Sequence, residues 1–313
     1  MTTGGRLAAI LADGEFCVTG EVVPPRSADA TSVMEHARAL VGYVDAANVT
    51  DNPTASAHMS PLAGVRFVAE AGVEPTVQVT SRDRNRLGIT ADLLGAWALG
   101  ARNLLCLTGD PLTIGDHPDA AAVHDLSVLE MVSLAKRMRE EGTTLSGADI
   151  AEPPRYLIAV ADLPLADAYD PARLEVKLDA GADVVMTQIA YDIDALSSWA
   201  QLMRGRGLFE RAKVIVGVVP LRNAKAARFM HDHLPGVRVP PPMIADLERV
   251  EQAGDDAEEV GIGLTIDVVQ GIRGIAGVAG VHLMGMGHDD VVARVVEGAG
   301  LFPRPIGIRP PAD

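Results

Sequence analysis

The run FCVTGEVVPPRSAD, Phe16 to Asp29, carries one carboxylate, Glu21, inside an apolar extended segment that two prolines stop. A carboxylic acid held in apolar surroundings resists ionisation, and one that stays protonated near neutral pH can hand a proton to a bound substrate. Val18, Val22 and Val23 are the neighbours expected to bury it. Polar residues also stand at the ends of other short β-branched runs: Thr50, Asp51 and Asn52, then Gln78 and Thr80, Thr108 and Asp110, Asp162, and Thr187 with Gln188. Buried polar groups are costly without partners, so a ligand gathered at these ends would account for them as a set. Each also has a structural reading. Glu21 could pair with Arg26 or Arg82, Gln78 and Gln188 could be core amides bonded to strand backbone, and Asp110 in LTGDP suits a turn.

The elements that must position these residues follow from the spacing. Strand-like runs fall at Cys17 to Val23, Val44 to Thr50, Thr76 to Ser81, Asn103 to Gly109, Tyr156 to Asp162, Val184 to Ala190, Lys213 to Val219 and Val281 to Met286. Between them lie helical patterns such as ADLLGAWALGA, SVLEMVSLAKRMREEG and DALSSWAQLMRGRGL, several with glycine near the end, where a helix C-terminus favours it. Eight strands alternating with helices predict a parallel sheet, and over this length a closed (β/α)8 TIM barrel, with a doubly wound sheet as the alternative. The leading GRLAAILADG reads as an extra N-terminal helix capping the barrel bottom. The barrel is expected over residues 1–302 and a proline-rich, extended tail over 303–313. In such a barrel the C-terminal strand ends form one face and carry the site, which puts Glu21 and the residues above on a common rim.

Composition narrows the chemistry. A chain of 313 residues with 48% hydrophobic and 22% charged residues is able to bury a large core, and the net charge of −15 opposes phosphate backbones and anionic lipid. No basic patch offsets that charge, so neither nucleic acid nor membrane is an expected partner. Cys17 and Cys106 lie in apolar runs and give neither a disulfide framework nor zinc spacing, which suits a reducing cytoplasm. No signal-peptide pattern and no 18-residue uncharged apolar run are found. The loop GDPLTIGDHPDAAAVHD gathers Asp110, Asp116, Asp119, Asp125, His117 and His124, but its spacing fits no EF-hand or zincin, so no metal is expected. His231, His233 and His288 read as helix-end or surface residues. With no GxGxxG, no P-loop and no nucleophile triad motif, acid–base chemistry on a bound cofactor remains.

The segments GEVVPPR, DAANVTDNPTA, VTSRDRNRLGI, GARNLLCLTGDP, GDHPDA and DAGADVVMTQIAYD together resemble the methylenetetrahydrofolate reductase family over nearly the whole chain. The nearest pattern is the form of acetogenic bacteria and of homocysteine methyltransferase fusions. The resemblance implies a barrel holding FAD at its C-terminal face, reduced by NAD(P)H, and transfer of hydride to 5,10-methylenetetrahydrofolate. By motif it makes Glu21 the general acid, Asp110 a catalytic tuner of the flavin and a folate ligand, and Gln188 a folate ligand. Thr50, Asp51, Gln78, Thr80, Thr108, Gly109, Asp162 and Lys177 fall at or near flavin- or nicotinamide-contacting positions.

The chain also departs from that pattern. ADLPLADAYD replaces the family's polar segment after the fifth strand, VHDLSV lacks an Asp-Ser pair, Ala224 stands where many members have a nicotinamide-stacking aromatic, and HLMGMGHDD lacks a folate-tail arginine. Two alternatives follow: the same barrel oxidising 5-methyltetrahydrofolate, or a flavin-free folate-binding subunit. The resemblance leaves a homo-oligomer or a complex with a second subunit open.

Overall fold

The computed structural model describes residues 4–305, over which eight parallel strands close into a barrel in sequence order. They are β1 (Cys17–Val22), β2 (Ala46–Val49), β3 (Pro75–Thr80), β4 (Asn103–Leu107), β5 (Leu157–Asp162), β6 (Val184–Ile189), β7 (Lys213–Val218) and β8 (Val278–Leu283). The helices are α1 (Arg6–Ala12), α2 (Thr31–Ala39), α3 (Pro61–Glu70), α4 (Arg86–Ala98), α5 (Val128–Glu141), α6 (Pro171–Ala180), α7 (Ile193–Gly205), α8 (Ala224–His233), α9 (Pro241–Ala253), α10 (Ala257–Arg273) and α11 (Asp289–Gly298). The expected (β/α)8 barrel is therefore the fold. Among the described residues, no helix is long and apolar enough to cross a membrane. Positions 306–313 of the expected tail lie outside the described residues.

Strand alternation sorts the core into two layers. One face of each strand packs against the helices: Val18 and Val22 of β1 join Ala37, Leu40 and Val65 there. The other face fills the barrel, with Cys17, Ala46, Leu105, Leu157, Val184, Met186 and Ile215. Leu7, Ile10 and Leu11 of α1 belong to this inner cluster, so the extra N-terminal helix plugs the bottom as its apolar stripe suggests. The charge run QAGDDAEEVG is a helix junction: left-handed Gly254 (φ 78°) ends α9, and Asp256 caps α10 by accepting from the Glu258 and Glu259 N–H groups.

β8 begins three residues earlier than its apolar run indicates, because Gly280 lies inside it. There glycine marks a close approach of backbones rather than a break. Gly280 pairs with Cys17, and a Cβ at this position would fall 2.3 Å from Cys17 Sγ and 2.5 Å from its carbonyl oxygen. Gly280→Ala should cost about 1–3 kcal/mol by overpacking the seam that closes the barrel. Urea unfolding checks this, and an unchanged midpoint would contradict the packing.

The chain after α11 returns beneath the barrel. Arg304 is buried, ion-paired with Asp45, and donates to the Phe16 carbonyl at 2.7 Å. Asp45 also accepts from the Val18 N–H at 2.8 Å, so this pair ties β1 to the segment that precedes β2.

Candidate active site

Glu21 shares its strand face with Cys17 and Thr19, so its side chain enters the barrel at the C-terminal end. Val18 and Val22 point the other way, into the helix layer. For Val18 and Val22 the expectation that neighbouring valines shield this acid therefore fails on pleat geometry; the barrel interior does so instead. Among the described residues the Glu21 carboxylate has no hydrogen bond and no ion pair. Arg26 pairs with Asp116, and Arg82 is held by Asp83, so neither arginine neutralises it. Burial alone pushes Glu21 from 4.5 up to about 7.

The strand faces beside Glu21 are polar and under-satisfied. Asn48 is its register partner on β2. Asn48 Oδ1, Thr50 Oγ1 and Thr76 Oγ1 are buried without a hydrogen-bond partner among the described residues. Gln78, 8% exposed, makes no side-chain hydrogen bond there either. Unpartnered groups of this kind are what a polar ligand or ordered water satisfies, Thr50 at the C-terminal end and Thr76 near the start of β3.

Asp51 and Thr80, by contrast, are already engaged. Asp51 is buried and accepts from the Thr80 N–H at 2.8 Å, from Thr80 Oγ1 at 2.9 Å and from two Arg84 nitrogens at 2.6 and 3.1 Å. Each residue of the SRDRNR run has a structural task. Arg82 grips Asp83 and donates to the Asp110 and Asn52 carbonyls at 3.0 and 3.3 Å, Asn85 caps α4, and Arg86 binds Asp125. The run therefore pins the loops after β2, β3 and β4 to one another. Asp116 and Asp125, which the sequence put in a possible cation loop, are spent on Arg26 and Arg86.

Asp110 is exposed, and its carboxylate accepts from the Thr54 N–H at 2.7 Å. That bond braces a turn at Pro53–Ala55 in which Asn52, Thr54 and Ala55 all have positive φ. Strain of this sort persists only where surrounding contacts over-determine it. Gly109 (φ +90°) lets the chain pass beside Thr80 and Arg82. On the far side of the barrel, the register of β6 against β7 shifts between Met186 and Ile189. A Cβ on Gly217 would meet the Thr187 carbonyl at 2.6 Å, so this glycine makes room for the irregularity. Gln188 lies inside this irregular stretch, a feature often found beside sites. Gln188 Oε1 accepts from the Ile189 N–H at 3.0 Å, and its amide NH2 has no protein partner among the described residues.

Thr108 and Lys177 line a cavity of about 630 Å³ at the rim, together with Ser81, His124, Leu126, Val128, Leu129, Val176 and Arg173. Glu130 also lines it, its carboxylate accepting from the Ser127 N–H and hydroxyl at 2.8 Å, so the apolar walls and the two cations one helical turn apart on α6 suit a ligand with a flat ring system and phosphates. Lys177 Nζ donates to the Ala161 carbonyl at 2.6 Å, and burial lowers its proton affinity against the pull of Asp162. Asp162 is itself raised by burial and accepts from the Tyr169 hydroxyl at 2.9 Å. This cavity lies beside the rim and does not include Glu21, so the site has two parts: a ligand-sized groove and an acid-bearing mouth.

Sequence reasoning missed His282. It sits in β8 with Nδ1 3.0 Å from Thr19 Oγ1 and Nε2 3.4 Å from Asn48 Nδ2. The signal was its alternation with Gly280 and Met284 once β8 is framed three residues earlier.

The fold and this geometry define a closed parallel barrel whose C-terminal mouth holds a solitary acid among unsatisfied amides and hydroxyls. The family model described as methylenetetrahydrofolate reductase matches residues 6–300, and the chain belongs to that family. Among its relatives, the probable methylenetetrahydrofolate reductase (NADPH) of Caenorhabditis elegans is 22% identical over 82% of this chain and 36% of its own length. The 5,10-methylenetetrahydrofolate reductase of Salmonella typhimurium is 23% identical over 64% of this chain and 61% of its own. The chain thus spans little more than a third of the nematode relative. In fold it is similar to a Clostridium thermocellum protein that binds two copies of 5-methyl-5,6,7,8-tetrahydrofolic acid, with TM-score 0.62 at 12% identity, covering 95% of this chain and 99% of that one.

Proposed function

We propose that this chain reduces 5,10-methylenetetrahydrofolate to 5-methyltetrahydrofolate with electrons from NAD(P)H, by way of a bound flavin. The observation that carries the reading is Glu21, an unpaired carboxyl in the barrel mouth whose proton affinity burial raises to about 7. Such a group is half-protonated where the reaction needs an acid. Its proton goes to N10 of the folate, the bond from N10 to the bridging carbon breaks, and the remaining iminium at N5 accepts hydride.

Flavin, when bound, supplies that hydride. The rim cavity supports this reading: Lys177 and Arg173 would hold its phosphates, Ser81 and Thr108 would give polar contacts and Leu126, Val128 and Leu129 apolar packing, while the Glu130 carboxylate in the same wall is bonded to Ser127. Thr50, Gln78 and Gly109 stand on or just after β2, β3 and β4, the strands that follow β1 and Glu21 round the barrel. Asp110 fixes the β2 loop through Thr54 and lends its charge to the mouth, and Gln188 offers its free amide to the pterin. Asp51, Thr80 and Asp162 act by holding the wall, since their oxygens are already bonded to protein donors. Cys17 and Cys106 are buried thiols with raised proton affinity, consistent with chemistry in a reducing cytoplasm.

Titration of the purified chain with FAD tests the cofactor assignment. Saturable quenching of flavin fluorescence, weakened about tenfold or more by Lys177→Glu through loss of a charge-assisted phosphate contact, is the expected result. Folate reduction by a colourless protein without added flavin would refute that assignment. The absence of folate turnover with FAD and either nicotinamide would refute the activity.

A further inference from the structure

Below Glu21 the barrel interior contains a second titratable group, His282, that the proposed chemistry does not use. It is 5% exposed, and its two ring nitrogens bridge β1 and β2: Nδ1 lies 3.0 Å from Thr19 Oγ1 and Nε2 3.4 Å from Asn48 Nδ2. Both partners adjoin the acid. Thr19 is two residues before Glu21 on the same strand face, and Asn48 is its register partner on the next strand. With the amide of Asn48 placed this way, Nδ1–H donates to the Thr19 hydroxyl, which lies 3.4 Å from the Val281 carbonyl, and Nε2 accepts from Asn48. With the amide reversed, Nε2–H donates to Oδ1 and Nδ1 accepts from Thr19. Either way the ring is neutral and doubly held, and one end of the Asn48 amide is left without a partner. Asn48 is 1% exposed, so that atom is a buried polar group still in want of a partner.

We propose that His282 is a positioning residue for the acid: as a neutral link between Thr19 and Asn48 it aims the free end of the Asn48 amide, directly or through one ordered water, at the carboxyl of Glu21. A buried imidazole suits this task because it joins a hydroxyl to an amide without bringing charge near the acid. Desolvation lowers its own proton affinity to about 4, so it stays uncharged wherever the acid titrates. The other ionisable groups around the mouth are paired or peripheral. They are Asp51 with Arg84, Asp83 with Arg82, Asp162 near Lys177, and Asp110 on the exposed loop. Among the described residues, no charged side chain other than Glu21 shares the inner faces of β1, β2 and β8 above the plug. A neutral amide is therefore the polar group that adjusts the acid.

The inference rests on the reading of Glu21 as proton donor, so its test uses a readout independent of turnover. Isotope-edited infrared titration follows the protonated C=O stretch of Glu21 directly. Asn48 Oδ1, the end left free, can only accept from the protonated carboxyl and thereby favours the neutral acid, so His282→Leu is expected to move the midpoint downward by about one pH unit. Turnover should fall about tenfold in kcat, with KM for the folate changed less than about twofold, the signature of lost alignment rather than lost binding. His282→Gln, which can still reach Asn48, should restore most of that loss. Thr19→Val and Asn48→Leu are close in shape to the native residues and serve if His282→Leu does not fold: the first frees one end of the ring, and the second should reproduce the midpoint shift. A wild-type Glu21 midpoint in folded Asn48→Leu, or in folded His282→Leu, overturns the proposal. Loss of turnover in all variants with an unmoved midpoint overturns it too. A wild-type chain that titrates as described but reduces no folate counts against the activity and leaves the link standing.

Discussion

Glu21→Gln is expected to lower folate reduction by about 10²–10⁴-fold, the usual worth of a positioned general acid. NAD(P)H oxidation by an artificial acceptor in the presence of flavin should persist, since the glutamine amide fills the same space and only the proton is lost. The same substitution should stabilise the protein at alkaline pH. Glu21 holds its proton up to about pH 7 when folded, whereas an ordinary glutamate releases it near 4.5. Between those values the native state binds more protons than the unfolded chain, so wild-type stability falls as pH rises through that window. The full difference over those 2.5 pH units is about 3–4 kcal/mol at about 1.4 kcal/mol per pH unit, and partial exposure of the side chain brings it nearer 2. Glu21→Gln should therefore unfold later than wild type at pH 8 and no later at pH 4. Activity lost and stability gained together mark a strained functional group, whereas a structural ion pair would lose stability.

Asp51→Leu should have the largest effect on folding. Its carboxylate is fully buried and holds Arg84, the Thr80 backbone and the Thr80 hydroxyl. Removing one partner of a buried pair leaves the other uncompensated and costs about 3–5 kcal/mol. Denaturant unfolding of Asp51→Leu, Arg84→Met and the double variant separates the pair from its surroundings. The double variant should lose clearly less than the sum of the singles, because the stranded charge is gone. Additive losses would mean that Asp51 works mainly through Thr80. Folate turnover should fall in the Asp51 variant along with the ordering of the rim, because the same network fixes the loop that Asp110 braces.

Much of the fold is legible in the sequence. Alternating runs and their spacing yield eight strands and a barrel, and α1 is recognisable from its apolar stripe. Glu21 stands out because a strand interior rarely accommodates a carboxylate without a charged partner nearby. Other residues mislead where their partners lie far along the chain. Asp51 and Thr80 look like ligand contacts because both end strands, yet their hydrogen bonds run to each other and to Arg84, 33 residues from Asp51. Asp110 reads as a turn residue or a ligand contact, and it braces a strained loop 56 residues away. His282 is hidden by Gly280: a glycine inside a strand disguises the start of β8 and so the face its histidine occupies. The valines beside Glu21 suggest burial by sequence adjacency, whereas the pleat sends Val18 and Val22 to the opposite layer.

The most direct measurement is the pH dependence of kcat for folate reduction from about pH 5.5 to 9. A rate that falls about tenfold per pH unit above about 7, with that limb absent from the residual activity of Glu21→Gln, is the expected result. A wild-type rate that stays level across this range, or a limb that survives in Glu21→Gln, would contradict the assignment of the proton to Glu21.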